Sequence, residues 1–164
     1  MTPETLPGAE IAPLASPAEA HACAGWLLAS EPWITLRRSR DWAQALLTDP
    51  ARETHVARDA DGVAGFVVLD LRGMLSGYVQ TVCVRPGRRG QGIGSALMDF
   101  AEARIGAVSP NVFLCVSSFN AAARRLYERR GYEVVGTLRA FIVPEHDEIL
   151  MRKTLGPWSS FRPR

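Results

Sequence analysis

The chain has 164 residues, 47% of them hydrophobic and 22% charged, with a formal net charge of +2. That length and balance fit one domain with its own core, and they exclude a disordered tail protein, a collagen and a disulfide scaffold. No apolar run approaches the roughly 20 residues a membrane span needs, and Cys23, Cys83 and Cys115 lack CxxC spacing, so no membrane partner and no metal are expected and a reducing, cytoplasmic setting is.

Residues 1–14, rich in Pro, Ala and Glu, read as a loose arm; a single domain is expected over 15–155 and an irregular tail over 156–164. Ser16-Pro17-Ala18-Glu19 carries a helix start: a serine cap, a proline in the first turn and a glutamate placed for a capping box. The helix runs to about Ala29 and is broken by Glu31-Pro32-Trp33; a second covers Arg40–Thr48 and stops at Asp49-Pro50. From Glu53, alternation of Thr54, Val56 and Arg58 predicts a strand. Asp61-Gly62 is a hairpin signal, and Gly65–Leu69 is the return strand. Tyr78–Val84, apolar on both faces, reads as a central strand.

Ile93, Leu97, Phe100, Ala101 and Ile105 recur at helical spacing and predict a helix ended at Ser109-Pro110. Val112–Val116 is a further strand. Asn120 caps a fourth helix on which Ala123, Leu126 and Tyr127 share a face, and Gly131 sits at its C-terminal cap. Strands at Tyr132–Leu138 and about Glu148–Lys153 close the domain. The order predicts an α+β, three-layer domain, a central mixed β-sheet flanked by helices, and not a doubly wound dinucleotide fold. With no basic stripe or helix-turn-helix signal, no nucleic-acid partner is expected.

Between the central strand and the helix at Ile93 lies Arg88-Arg89-Gly90-Gln91-Gly92-Ile93-Gly94-Ser95. Glycines at alternate positions, at a strand end and a helix start, free successive backbone N–H groups to converge on an anion. Arg88 and Arg89 add charge-assisted donors, and a pyrophosphate is the natural guest. A Walker loop would need a lysine that is absent, and GxGxxG would need glycine at Ser95 or Leu97.

This loop follows Val82-Cys83-Val84-Arg85-Pro86 and precedes Asn120-x-x-Ala123-x-x-x-Tyr127-x-x-x-Gly131-Tyr132. Together these motifs resemble the GNAT superfamily of acyl-CoA-dependent N-acetyltransferases, from about Glu53 to Lys153. The resemblance implies direct transfer of acetyl from acetyl-CoA to a primary amine of a small molecule or peptide. It implies that the backbone of Val82, Cys83 and Val84 pairs with the pantetheine arm. The loop Arg88, Arg89, Gly90, Gln91, Gly92, Ile93, Gly94 and Ser95 would hold the pyrophosphate, and Asn120 and Ala123 would lie along the arm. Tyr127 would be the general acid toward the leaving thiolate; on periodicity alone, Leu126 and Tyr127 both read as core.

An ammonium acceptor must also lose a proton. Candidate bases are Glu31, Glu145 and His146, with Asp147 beside them; Glu31 and Trp33, between the first helices, are candidate acceptor-wall residues. Asn120–Gly136 is similar to the ribosomal-protein N-terminal acetyltransferases, whose base is a glutamate in a Leu-Glu-Val strand; here that strand reads Leu114-Cys115-Val116. Cys115 reads as a small buried residue rather than a nucleophile. The alternatives carried forward are a protein N-terminal acetyltransferase and a non-catalytic CoA-binding sensor or interaction module. Many members of the superfamily form homodimers, though nothing in the sequence marks an interface.

Overall fold

Local capping sets the first two helices. In the computed structural model, which describes residues 9–164, Ser16 caps α1 (Pro17–Leu28) by accepting from the Glu19 amide at 3.2 Å. The Glu19 carboxylate reaches back to the Ala15 amide at 2.8 Å, closing the expected box one residue early. Ser39 caps α2 (Arg40–Thr48) by accepting from the Trp42 amide. The strands are β1 (Glu10–Pro13), β2 (Glu53–Asp59), β3 (Gly62–Asp70), β4 (Tyr78–Val84), β5 (Asn111–Ser117), β6 (Glu133–Val143) and β7 (His146–Thr154). Helices α3 (Ile93–Gly106) and α4 (Ala121–Arg129) complete the chain order.

The seven strands form one sheet in the order β1-β2-β3-β4-β5-β7-β6. Only β4 and β5 run parallel; every other neighbour is antiparallel. This is the expected α+β fold with a mixed sheet between helices. Helix α3 packs one face through Ile93, Leu97, Met98, Ala101 and Ile105, and its core takes in Leu114, Val116, Ile149 and Met151. The opposite face under α1 and α2 is filled by Cys23, Leu27, Leu46 and Leu47 against Val56, Phe66, Val68 and Cys83. That second core draws its sheet residues only from β2, β3 and β4, so the same face of β5 and β7 remains available to line a cleft.

Several expectations are corrected. Within the arm read as loose, Glu10–Pro13 is an edge strand in register with Arg58 to His55; residues 1–8 of that arm lie outside the described residues. Four residues ending in proline show no period of their own, and only pairing with β2 makes them a strand. Leu126 is 37% exposed and belongs to no core. Strands β6 and β7 extend to a short hairpin, so His146 and Asp147 stand on a strand rather than in a loop. The tail read as irregular contains a short 3₁₀ turn at Trp158–Ser160.

Gly77 brings the β3–β4 connection against the start of β5. Its φ is +95°, and a Cβ there would lie 2.4 Å from the Asn111 carbonyl oxygen and 2.7 Å from Ile105 Cγ2. Gly77→Ala is therefore expected to cost on the order of 3 kcal/mol or more, since both backbone strain and a backbone clash oppose it. A lowered urea midpoint at unchanged m-value would register this.

Candidate active site

The site begins with a defect in the sheet. β4 pairs with β5 only at Tyr78↔Phe113 and Val79↔Leu114, whereas β5 pairs with β7 along its whole length. Across β3, the register passes from Val68↔Thr81 to Leu69↔Val79, which leaves Gln80 as an extra residue in β4. Such a bulge bends and twists its strand. It also switches side-chain parity: Val79 packs under α3, while Cys83, three pairs on, faces α1. Beyond Val79, β4 turns away from β5, and its backbone on that side has no ladder partner. A cleft of about 330 Å³ opens there, lined by both strands, by Asn120, Ala123 and Tyr127 of α4, and by the α1–α2 connection.

At the open end of the cleft, Gly87, Gly90 and Gly92 all have φ between +74° and +85°. These left-handed turns stack the loop under the first turn of α3. Gly92 is the N-cap and no side chain satisfies the helix start, so the first amides of α3 are left to an external acceptor. A Cβ at Gly90 would meet nothing, and one at Gly94 would touch Val84 Cγ2 at 3.4 Å. Arg89 lines the cleft, its Nη2 donating to Ser30 Oγ at 2.7 Å.

Other members of the predicted loop act differently. The Arg88 guanidinium is occupied by Asp59 and by Asp61, the latter at 3.1 Å, with Gln91 accepting from its Nε at 3.1 Å. Its side chain ties the loop to the β2–β3 turn and does not line the cleft. Ile93 is 4% exposed and anchors α3 in the core, leaving only its backbone for a ligand. Gln91, Gly92 and Ser95 are exposed. Val82 and Val84 line the cleft from β4, as does Cys83, whose thiol burial pushes up to about 11.

Tyr127 lies on the cleft wall, its ring edge-on to Tyr132 with centroids 5.7 Å apart. Burial raises its pKa and Arg130 opposes the shift, so the hydroxyl stays protonated across the physiological range. Asn120 caps α4, its Oδ1 accepting from the Ala123 amide at 3.2 Å, while both residues line the cleft. Arg124 is committed to Glu128 at 3.0 Å on the exposed face.

The candidate bases separate cleanly. Glu145 is exposed and paired with Arg37 at 2.8 Å, outside the cleft lining. The His146 ring stacks on Phe119 at 4.6 Å and does not line the cleft either. Asp147 accepts from the Ala140 amide at 2.9 Å and holds the irregular part of β6. Of the predicted set only Glu31 lines the cleft, held by Thr35 through its amide at 3.2 Å and its hydroxyl at 3.1 Å. Trp33 lines the cleft and packs on the α1–α2 core as well.

The carboxylate in the cleft interior is one the sequence reading passed over. Glu148, on β7, is 4% exposed and lines the cleft. Ser117 Oγ donates to its Oε1 at 2.6 Å. Burial raises its pKa against the opposing effects of Ser117, Arg38 and His146. It pairs across the ladder with Ser117, and Leu150 pairs with Cys115, so Glu148 enters on the face of β5 that Cys115 occupies. Burial also raises the pKa of the Cys115 thiol, and Tyr78 opposes that shift. A reader of the sequence could have found Glu148 by asking which side chains share a face with Cys115, but only after the β5–β7 register was known.

Among known families, residues 50–134 match the acetyltransferase (GNAT) domain. The crystal structure of a nourseothricin acetyltransferase is 30% identical over 66% of this chain and 68% of that one, with a TM-score of 0.59. An aminoglycoside 6'-N-acetyltransferase complexed with coenzyme A is 19% identical, covering 94% of this chain and 99% of that one at a TM-score of 0.71. The ribosomal-protein-S18-alanine N-acetyltransferase from Escherichia coli is 17% identical, covering 94% and 99% at 0.73. The last two bear on the fold alone. No curated protein matches the sequence. No helix among the described residues is long and apolar enough to cross a membrane.

Proposed function

Because the chain belongs to the GNAT acetyltransferase family, we propose that it moves the acetyl group of acetyl-CoA directly to a primary amine held between Tyr127 and Glu148. The divergence of β4 from β5, ending at an uncapped helix start, is the observation that carries this reading. An unpaired strand edge accepts an amide-bearing arm as it would another strand, and the left-handed glycine loop accepts a pyrophosphate. When bound, acetyl-CoA supplies the acetyl group as a thioester, whose C–S bond breaks as the new C–N bond forms.

The chain's own residues handle the protons. Glu148 takes one proton from the ammonium, so that nitrogen presents its lone pair. Tyr127 donates to the departing sulfur and is reprotonated from solvent. Nitrogen gives up two protons between ammonium and amide, sulfur gains one, and one proton is released per turnover. Burial helps both groups: it makes Glu148 a stronger base and keeps Tyr127 protonated.

Calorimetry with acetyl-CoA, CoA and NAD tests the cofactor half of this reading. Micromolar binding of acetyl-CoA and CoA but not NAD is expected; no binding would leave a non-catalytic interaction module as the better reading. Gly92→Val should weaken acetyl-CoA by at least about tenfold, because a β-branched side chain at φ +81° strains the loop and displaces its amides. Unchanged affinity in a folded variant would remove the pyrophosphate from this loop.

A further inference from the structure

Inside the cleft, Arg38 stands in an unusual state. Its backbone N–H is bound to the Trp33 carbonyl at 3.1 Å, and its guanidinium lies 4.3 Å over the Trp42 ring. Its Nε is buried with no hydrogen-bond partner. A buried guanidinium N–H left unpaired is costly, and native structures rarely leave one without an acceptor to meet. Glu148 is near enough to support its charge, yet the carboxylate bonds to Ser117 instead. The two opposite charges therefore line the same cleft without joining, a cation stacked on an indole and an anion held by a hydroxyl.

We infer that the acceptor is a zwitterionic α-amino acid with an apolar side chain, its carboxylate on the Arg38 guanidinium and its amino group at Glu148. This rests on the acetyltransferase reading and names the substrate class for that same site. Arg38 has the fork that matches a carboxylate, and Trp42 beneath it fixes the plane of that fork. Nε is closed off from the cleft, so the carboxylate would meet the terminal N–H groups of the guanidinium, which lines the cleft and is paired with no anion among the described residues. Leu36, Trp33 and Phe141 supply the apolar wall for the remaining side chain. A polycation would meet Arg38 as a like charge, and a bare amine would leave its guanidinium without an anion. In the reaction the amino nitrogen loses two protons and gains the acetyl carbon, the thioester C–S bond breaks, and sulfur gains one proton; the carboxylate is unchanged.

The test uses the full chain, acetyl-CoA and thiol release. L-Phenylalanine, L-leucine, L-methionine and L-tryptophan are compared with their carboxamides and with the corresponding decarboxylated amines. At least one free amino acid should exceed both its carboxamide and its amine by about ten- to hundredfold in kcat/KM, the value of a charge-assisted contact. Arg38→Gln should raise KM for that amino acid by a similar factor and should not raise KM for the amine, which no longer meets a like charge. Equal use of acid, carboxamide and amine, or an Arg38→Gln loss shared by all three, would overturn the zwitterion assignment and leave acetyl transfer standing. Acetyl-CoA binding with no transfer to any of these compounds would also overturn it. Failure to bind acetyl-CoA would instead remove the reading on which it rests.

Discussion

Tyr127→Phe is expected to lower kcat by about 10²- to 10⁴-fold, the usual contribution of a positioned proton donor. The ring packs edge-on to Tyr132 and against the α3 core, and phenylalanine preserves both contacts. The hydroxyl makes no bond that holds the fold together, so thermal stability should be unchanged within experimental error. Acetyl-CoA affinity should also stay within a few-fold, because the proposed binding rests on the β4 edge and the glycine loop. A loss confined to kcat marks an interaction made as the bond breaks. If kcat were unaffected, the donor would have to be another group in the cleft, and Tyr78 beside Cys115 would be the next to examine.

Glu148→Gln should reduce kcat by a comparable factor and, in contrast, stabilise the protein near neutral pH. The sign follows from burial, which raises the folded-state pKa of Glu148 above its ordinary 4.5. The protonated acid is favoured by folding, so its stability contribution is complete below pH 4.5 and is lost as pH rises through the raised value. At neutral pH the wild-type chain holds a buried carboxylate whose charge opposes folding, with Arg38, His146 and Ser117 only partly offsetting it. Glutamine keeps an acceptor for Ser117 and carries no charge. The excess stability of Glu148→Gln at pH 7 should therefore vanish below about pH 4. In wild type, kcat/KM should rise with pH through a midpoint above 4.5, and this limb should be missing from the variant. A variant of full activity would return the proton-acceptor role to Glu31, the one predicted base that lines the cleft.

These two residues differ in how they could be found. Tyr127 stands in a motif whose parts fall within a dozen residues, from Asn120 to Tyr132, all on one helix and its caps. The glycine loop was legible for the same reason: left-handed turns at Gly90 and Gly92 are a local backbone property, and glycine advertises them. Leu126 shows the limit of such reading. Its spacing matched Ala123 and Tyr127, but α4 covers the sheet with a narrow stripe, and Leu126 falls outside it. Arg88 shows another limit, since a basic residue in a phosphate-like loop was claimed by two aspartates on a distant turn.

What the sequence by itself determined was the elements from α1 to β7, their order and the glycine loop, because caps, turns and periodicity report on neighbours a few residues apart. The tertiary structure alone decided where β4 leaves β5, since the bulge at Gln80 exists only relative to the register of β3. It alone made a strand of Glu10–Pro13, which needs β2 to supply its hydrogen bonds. It alone brought Glu148 to Ser117, 31 residues away in the chain, and set both in the cleft with Arg38. A strand's side chains alternate whatever its neighbours, but which chemistry they meet is fixed by the pairing of strands remote in sequence, and local pattern carries no record of that pairing.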